Sequence, residues 1–160
     1  MWKKILAGLK GGGGLSQEAF DEALLMLQAS HSMHRDAVTA LHEKGILVAD
    51  IYERDRQLNK FERSVRRKIV THLSVSSKPD VNMGLVITAI VIDIERIGDY
   101  AKNISELAVG LEEPFDALEL DGEVQRLEAL VERNFTDLPP ALQESDEDRA
   151  RGILERHKEI

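Results

Sequence analysis

The 160-residue chain has no cysteine, four prolines and few aromatic residues, which make up 4% of it. The lack of cysteine excludes a disulfide framework, a thiolate zinc site, an iron–sulfur cluster and a cysteine nucleophile. No apolar run approaches the roughly 20 residues that span a bilayer, and no signal-peptide core with a small-residue cleavage site is evident. An excess of positive charge is also missing. The formal net charge is −8, which argues against a general binder of nucleic acid. These absences lead to the expectation of a soluble, intracellular protein built as one domain or two small ones.

What is present is an aliphatic, charge-rich chain, 42% hydrophobic and 31% charged. The charge is unevenly placed: residues 112–160 hold 15 acids and 6 bases, whereas residues 1–111 hold 14 acids and 15 bases. The main body is therefore near neutral, and any acidic chemistry in it must come from placement. The prolines lie at Pro79, Pro114, Pro139 and Pro140, leaving long stretches free of helix breakers. Residues 1–10 form a short amphipathic segment, with Trp2, Ile5, Leu6 and Leu9 on one face, ended by the flexible run Gly11 to Gly14.

Ser16 reads as the N-cap of a first helix, whose apolar residues Phe20, Ala23, Leu24, Leu27, Val38 and Leu41 recur at helical spacing as far as Gly45. A second helix over about 46–74 carries the stripe Ile46, Ala49, Leu58, Phe61, Val65, Ile69 and Leu73. A third, over about 80–110, is apolar nearly all round between Leu85 and Ile92, the pattern of a buried bundle centre. A fourth over about 116–136 and a fifth from about 146 complete the chain, and no segment shows strand alternation. Helices of this length run about 42–45 Å, so the expected fold is all-α, an elongated antiparallel helical bundle.

Two of these helices share a polar pattern. Asp55, Asn59 and Glu62 in the second have the same spacing as Asp99, Asn103 and Glu106 in the third, and Glu95 extends the latter row backward by four residues. Such offsets place side chains on one helix face, with neighbours about 5–6 Å apart. Oxygen donors converging in this way suit hard cations such as Mg²⁺, Ca²⁺ or Mn²⁺, and carboxylates also hold iron within helical bundles. The bland alternative is a solvated helix face. Gly98 speaks against it, since a mid-helix glycine costs about 1 kcal/mol relative to alanine and calls for a close approach or a ligand.

The twelve residues Glu95-Arg96-Ile97-Gly98-Asp99-Tyr100-Ala101-Lys102-Asn103-Ile104-Ser105-Glu106 closely resemble the signature of the PhoU family of phosphate-uptake regulators. Glu53 to Glu62 resembles its companion motif. The resemblance implies a three-helix bundle repeat, two copies of which make a six-helix family member. It also implies surface carboxylate motifs that bind divalent or iron-type metal ions. The implied role is non-enzymatic regulation of phosphate uptake or phosphate signalling, through a membrane phosphate transporter or a sensor histidine kinase. Carried over by position, the implied metal ligands are Glu95, Asp99 and Asn103 in the third helix and Asp55 and Asn59 in the second. The implied place is cytoplasmic, at the inner face of the membrane, with homo-oligomerisation open and no nucleic-acid partner. The second-helix motif departs from the family pattern, because Ile51 stands where an acid is usual. The reading by segment is an arm over 1–14, a PhoU-like repeat over 15–111, and the first helices of an incomplete second repeat over 112–160. Either the chain is a fragment, the favoured reading, or another chain completes that second bundle.

Weaker signals have plainer readings. His31 and His34 suit hydrogen-bonded boundary positions better than metal ligation, and the basic group Arg63, Arg66, Arg67 and Lys68 suits a solvated face better than a docking patch. The arm Trp2 to Lys10 could lie on an anionic membrane, float freely or make a dimer contact. Two other function classes fit the sequence less well. A di-metal carboxylate enzyme of the ferritin-like kind needs a Glu-x-x-His pair, which these helices lack. A histidine phosphotransfer module would use His42, but Gly45 puts that residue near a helix end.

Overall fold

The computed structural model of the chain describes residues 14–43 and 48–159. The expected amphipathic arm over 1–10, most of the glycine run, and the helix boundary at Gly45 and Ile46 lie outside these residues. Among the described residues there are five α-helices and no strand. In chain order they are α1 (Leu15–His42), α2 (Ile51–Val75), α3 (Val81–Gly110), α4 (Asp121–Glu144) and α5 (Glu147–His157), with a short 3₁₀ turn at Leu118–Leu120 before α4. They fall into two compact units that divide between Phe115 and Asp116.

The first unit is a bundle of α1, α2 and α3. Its buried positions follow from the helical stripe: in α3, Gly84, Ile87, Val91, Ile94, Gly98, Ala101, Ser105 and Ala108 step alternately three and four residues apart. That 3.5-residue period is the seam of a coiled-coil-like packing. Facing it, α1 buries Ala19, Ala23, Met26, Leu27, Ser30, Met33, Ala37 and Ala40, and α2 buries Ile51, Leu58, Val65 and Ile69. Many of these residues are small, which lets the helix backbones lie close together. Arg54 of α2 reaches back to α1, with Nη1 2.8 Å from Asp36 Oδ2 and Nη2 2.9 Å from Ser32 Oγ. Further along the same pair, Ser64 Oγ donates to Glu22 Oε2 at 2.9 Å, and Lys68 lies 3.1 Å from the same carboxylate. These pairings make α1 and α2 antiparallel.

Local chemistry departs from the expected helix ends in three places, one of them α2, which starts at Ile51 after a turn at Ala49 and Asp50 and not near residue 46. Gly14, not Ser16, precedes the first turn of α1, at φ 103°, while Ser16 is buried inside the helix. A positive φ of this kind is open to glycine without strain, so the cap falls where the glycine is. The start of α3 agrees with the expected one near residue 80, and Asp80 caps it by accepting from the Met83 N–H at 3.0 Å. The fourth helix, expected to stop near residue 136, runs through Pro139 and Pro140 to Glu144. Two adjacent prolines each keep a helix-compatible φ and remove one backbone N–H, so the helix weakens there but its path continues. Finally, α3 is not enclosed on all sides. Its buried strip faces α1 and α2, while Leu85 is 63% exposed and Val81 and Ile92 also face outward. Leu111–Phe115 stays with the first unit because the Phe115 N–H donates to Leu41 O at 3.0 Å and its ring packs edge-on against His42.

The second unit is a helical hairpin of α4 and α5. Ser145 turns the chain at φ 59°, and Asp146 caps α5 by accepting from the Arg149 N–H at 2.9 Å. Arg156 ties the two helices through Asn134 Oδ1 at 3.0 Å and the Asp137 carboxylate. No helix among the described residues is long and apolar enough to cross a membrane.

Candidate functional site: a lysine-bridged carboxylate cluster

The site is set by one packing contact. A Cβ added at Gly98 of α3 would run into Leu58 Cδ1 of α2, a side chain left 1% exposed. The mid-helix glycine is thus explained by a close helix–helix approach. A second glycine, Gly84, repeats the arrangement against Ile69 and Leu73. Together they fix α2 and α3 as antiparallel and in one register, with Leu58 level with Gly98.

That register decides which polar groups meet. In α2 the buried row runs Ile51, Leu58, Val65 and Ile69, and Asp55 and Glu62 fall into the alternate seam positions between them. Their side chains are accordingly only 18% and 16% exposed. A carboxylate in a seam loses much of its hydration and calls for a partner. Asp55 finds one in Lys102 of α3, whose Nζ lies 3.0 Å from Asp55 Oδ1 and 2.7 Å from Asp99 Oδ1. The ammonium therefore bridges one carboxylate on each helix and is itself only 21% exposed. The Asp99 hydrogen bond, with support from Asp55, pushes the Lys102 amine well above the ordinary lysine value, against the opposing effect of burial.

Glu95 completes the cluster one turn before Asp99. Its carboxyl is held above the usual carboxylate value, first by burial and then by the negative charges of Asp99, Glu62 and Asp55, with Lys102 acting the other way. Glu62 is drawn off in part by Arg66, whose Nη1 lies 2.8 Å from Glu62 Oε1. The result is a patch with more carboxylates than cations, centred on one buried-side ammonium.

Of the five sequence-derived ligand candidates, the structure brings Glu95, Asp99 and Asp55 together. Asn59 is half-buried, and its Nδ2 donates to the Asp55 carbonyl at 3.1 Å. Asn103 is exposed. Among the described residues no three acid or histidine side chains stand in place to hold an ion; the two aspartates converge on Lys102 instead. The repeated Asp/Asn/Glu spacing does not produce two matching rows, because antiparallel helices pair its members in reverse. Glu62 falls toward Glu95, while Glu106 accepts from Tyr52 Oη at 3.1 Å. Sequence reasoning missed Lys102. The one local signal was its i, i+3 spacing from Asp99, a common surface pairing; its reach to Asp55 spans 47 residues of sequence.

The other flagged residues take structural places. Lys68 and Arg66 pair with Glu22 and Glu62, while Arg63 and Arg67 are exposed. His42 is the last residue of α1, and His31 and His34 are half-buried on the same helix.

Comparison with known proteins adds a lineage to this geometry. The PhoU domain matches residues 23–108, more than half of the chain and the whole of the carboxylate cluster. Phosphate-specific transport system accessory protein PhoU homologs from two strains of Caulobacter vibrioides are each 27% identical over 134 residues, covering 82% of this chain and 58% of the relative. The protein of the same description from Pseudomonas putida is 32% identical over 128 residues, covering 78% of this chain and 50% of that relative. The chain thus spans about half the length of the curated relatives it matches. No solved structure matches it.

Proposed function

Because this chain belongs to the PhoU family, we propose that it regulates phosphate uptake or phosphate signalling by contact with a membrane phosphate transporter or a sensor histidine kinase. The observation that carries this reading is the family match over residues 23–108, which takes in most of α1, all of α2, nearly all of α3 and the carboxylate cluster on them. The relatives' descriptions as accessory proteins of phosphate-specific transport support a role in binding rather than catalysis. In this reading the chain works on the cytoplasmic side of the membrane, and residues 112–160 supply the first helices of a second repeat. Affinity capture from membranes of cells grown at high and at low phosphate tests it. Recovery of a phosphate transporter subunit or sensor kinase is expected; recovery of only ribosomal and cytosolic contaminants overturns it.

The same reading includes a divalent or iron-type metal ion at the cluster. Glu95, Asp99 and Asp55 supply hard oxygen donors of the kind such an ion takes, but no three acid or histidine side chains among the described residues stand in place to hold one, so binding requires Lys102 to leave the two aspartates. Glu95, Asp99 and Asp55 would hold the ion, with Asn59 and Asn103 as the neighbouring amides. When bound it would supply positive charge to a patch rich in carboxylates. Elemental analysis and metal titration of untagged protein are expected to show less metal in Asp99→Ala than in wild type. Equal metal content in both removes the site.

A further inference from the structure

The third helix, α3, is apolar nearly all round between Leu85 and Ile92, yet α1 and α2 cover only its inward side. The outward side carries a second stripe. Val81, Leu85, Ala89, Ile92, Tyr100 and Leu107 are all exposed, and at about 3.6 residues per turn they fall within one sector roughly 100° wide. Scattered surface aliphatics are ordinary. A continuous row of them on a helix that already buries its other side marks a contact surface. The stripe runs from Val81 to Leu107, about 39 Å at 1.5 Å rise per residue, so its midpoint lies level with Ile94.

Two opposite charges sit at that midpoint. Arg96 Nη1 lies 3.5 Å from Asp93 Oδ1, and Arg96 Nη2 lies 3.4 Å from Tyr100 Oη. The side chains of Arg96 and Asp93 are 59% and 73% exposed, so their ion pair adds little to a single chain and leaves both charges able to pair elsewhere. A contact across a two-fold axis must be self-complementary, and this stripe is. When a second α3 lies antiparallel about the midpoint, Asp93 of each copy comes level with Arg96 of the other. Val81 then comes level with Leu107, and the small Ala89 with the ring of Tyr100. Leu85 comes level with Asn103, the one polar step in the row. A parallel arrangement would instead set aspartate against aspartate and arginine against arginine.

We infer that the outward stripe of α3 is the contact surface of a homodimer. Two copies of this chain pair their third helices antiparallel across a two-fold axis near Ile94, held in register by reciprocal Asp93–Arg96 ion pairs.

Sedimentation equilibrium of the full 160-residue chain over a concentration series tests this. Wild type is expected to pass reversibly from monomer to dimer. Asp93→Lys and Arg96→Glu each set two like-charge pairs across the contact, and each is expected to weaken dimerisation at least about tenfold. An equal mixture of the two variants restores both attractive pairs and is expected to dimerise about as strongly as wild type. An ion pair confined to one chain gives no such rescue. Leu85→Lys is expected to abolish the dimer while keeping the helical circular dichroism spectrum, because that side chain faces solvent in the single chain. A wild type that stays monomeric at every concentration leaves the stripe to some other partner and overturns the inference. A dimer that both charge variants retain, a mixture that fails to rescue, or an open-ended oligomer also overturns it. Should a charge variant lose helicity, Leu85→Lys decides alone, and a dimer that survives it overturns the inference.

Discussion

Glu95 shows how one side chain reports the electrostatics of the whole cluster. Burial and three neighbouring carboxylates raise its folded-state value above the ordinary 4.5, so the ionised form is disfavoured in the native protein. For a carboxyl shifted upward, stability falls as pH rises from the unfolded value through the folded one. Replacing Glu95 by Gln removes that penalty. Metal-free Glu95→Gln is therefore expected to melt slightly higher than wild type at pH 7, by less than about 1 kcal/mol because the group is partly solvated. The two should coincide near pH 4, where Glu95 is protonated. A lower melting point for the variant at pH 7 contradicts this account. Lys102 acts in the opposite sense: its raised value favours the charged amine, and that contribution persists until the pH passes the lysine range.

At the scale of the helices, the contact between Leu58 and Gly98 governs where these charges meet. A methyl group at residue 98 has no room against Leu58, so α2 and α3 must separate or the leucine must change rotamer. Gly98→Ala is expected to destabilise the first unit by about 1–3 kcal/mol by denaturant unfolding, although alanine is the better helix former. Leu58→Ala alone should cost about 2–5 kcal/mol through the cavity it leaves. In the double variant the new methyl enters the space the leucine vacates, so the combined loss should be smaller than the sum. Strict additivity would show that the two residues are not in contact. The prolines of α4 make a different point about helices. Pro139 and Pro140 punctuate the sequence like a stop, yet packing of Phe135 and Ala141 on either side carries the helix through them.

On the scale of the whole chain, the two units are unequally provided with core. The first buries residues along all three of its helices, including the large side chains Met26, Leu27, Met33, Ile51, Leu58, Ile69 and Met83. In the second, among the described residues, only Phe135 and Ala141 are buried, while Leu118, Leu120 and Leu154 are exposed. A segment with so little buried apolar surface gains too little to offset the entropy of ordering its backbone. Residues 1–115 expressed alone are therefore expected to keep a cooperative thermal transition and a helical spectrum. Residues 116–160 alone should show weak helicity and a broad, uncooperative melt. A sharp transition in the shorter piece would mean that its helix pair is self-sufficient.

The sequence by itself determined the all-α class, the extents of α1, α2 and α3 to within a few residues, the family signature over Glu95 to Glu106, and the importance of Gly98. Each is a local property: apolar spacing, a missing side chain, or a motif confined to a few turns of one helix. Spacing along one helix placed Glu95 and Asp99 on a common face, but whether Asp55 of the other helix joins them was left open. Only the tertiary structure decided that Lys102 stands between the two aspartates, that Glu62 belongs beside Glu95, and that Asn103 is left in solvent. Those outcomes depend on the offset between two antiparallel helices. The offset is fixed by how Leu58 lies against Gly98 in three dimensions, and no periodicity along either helix records it.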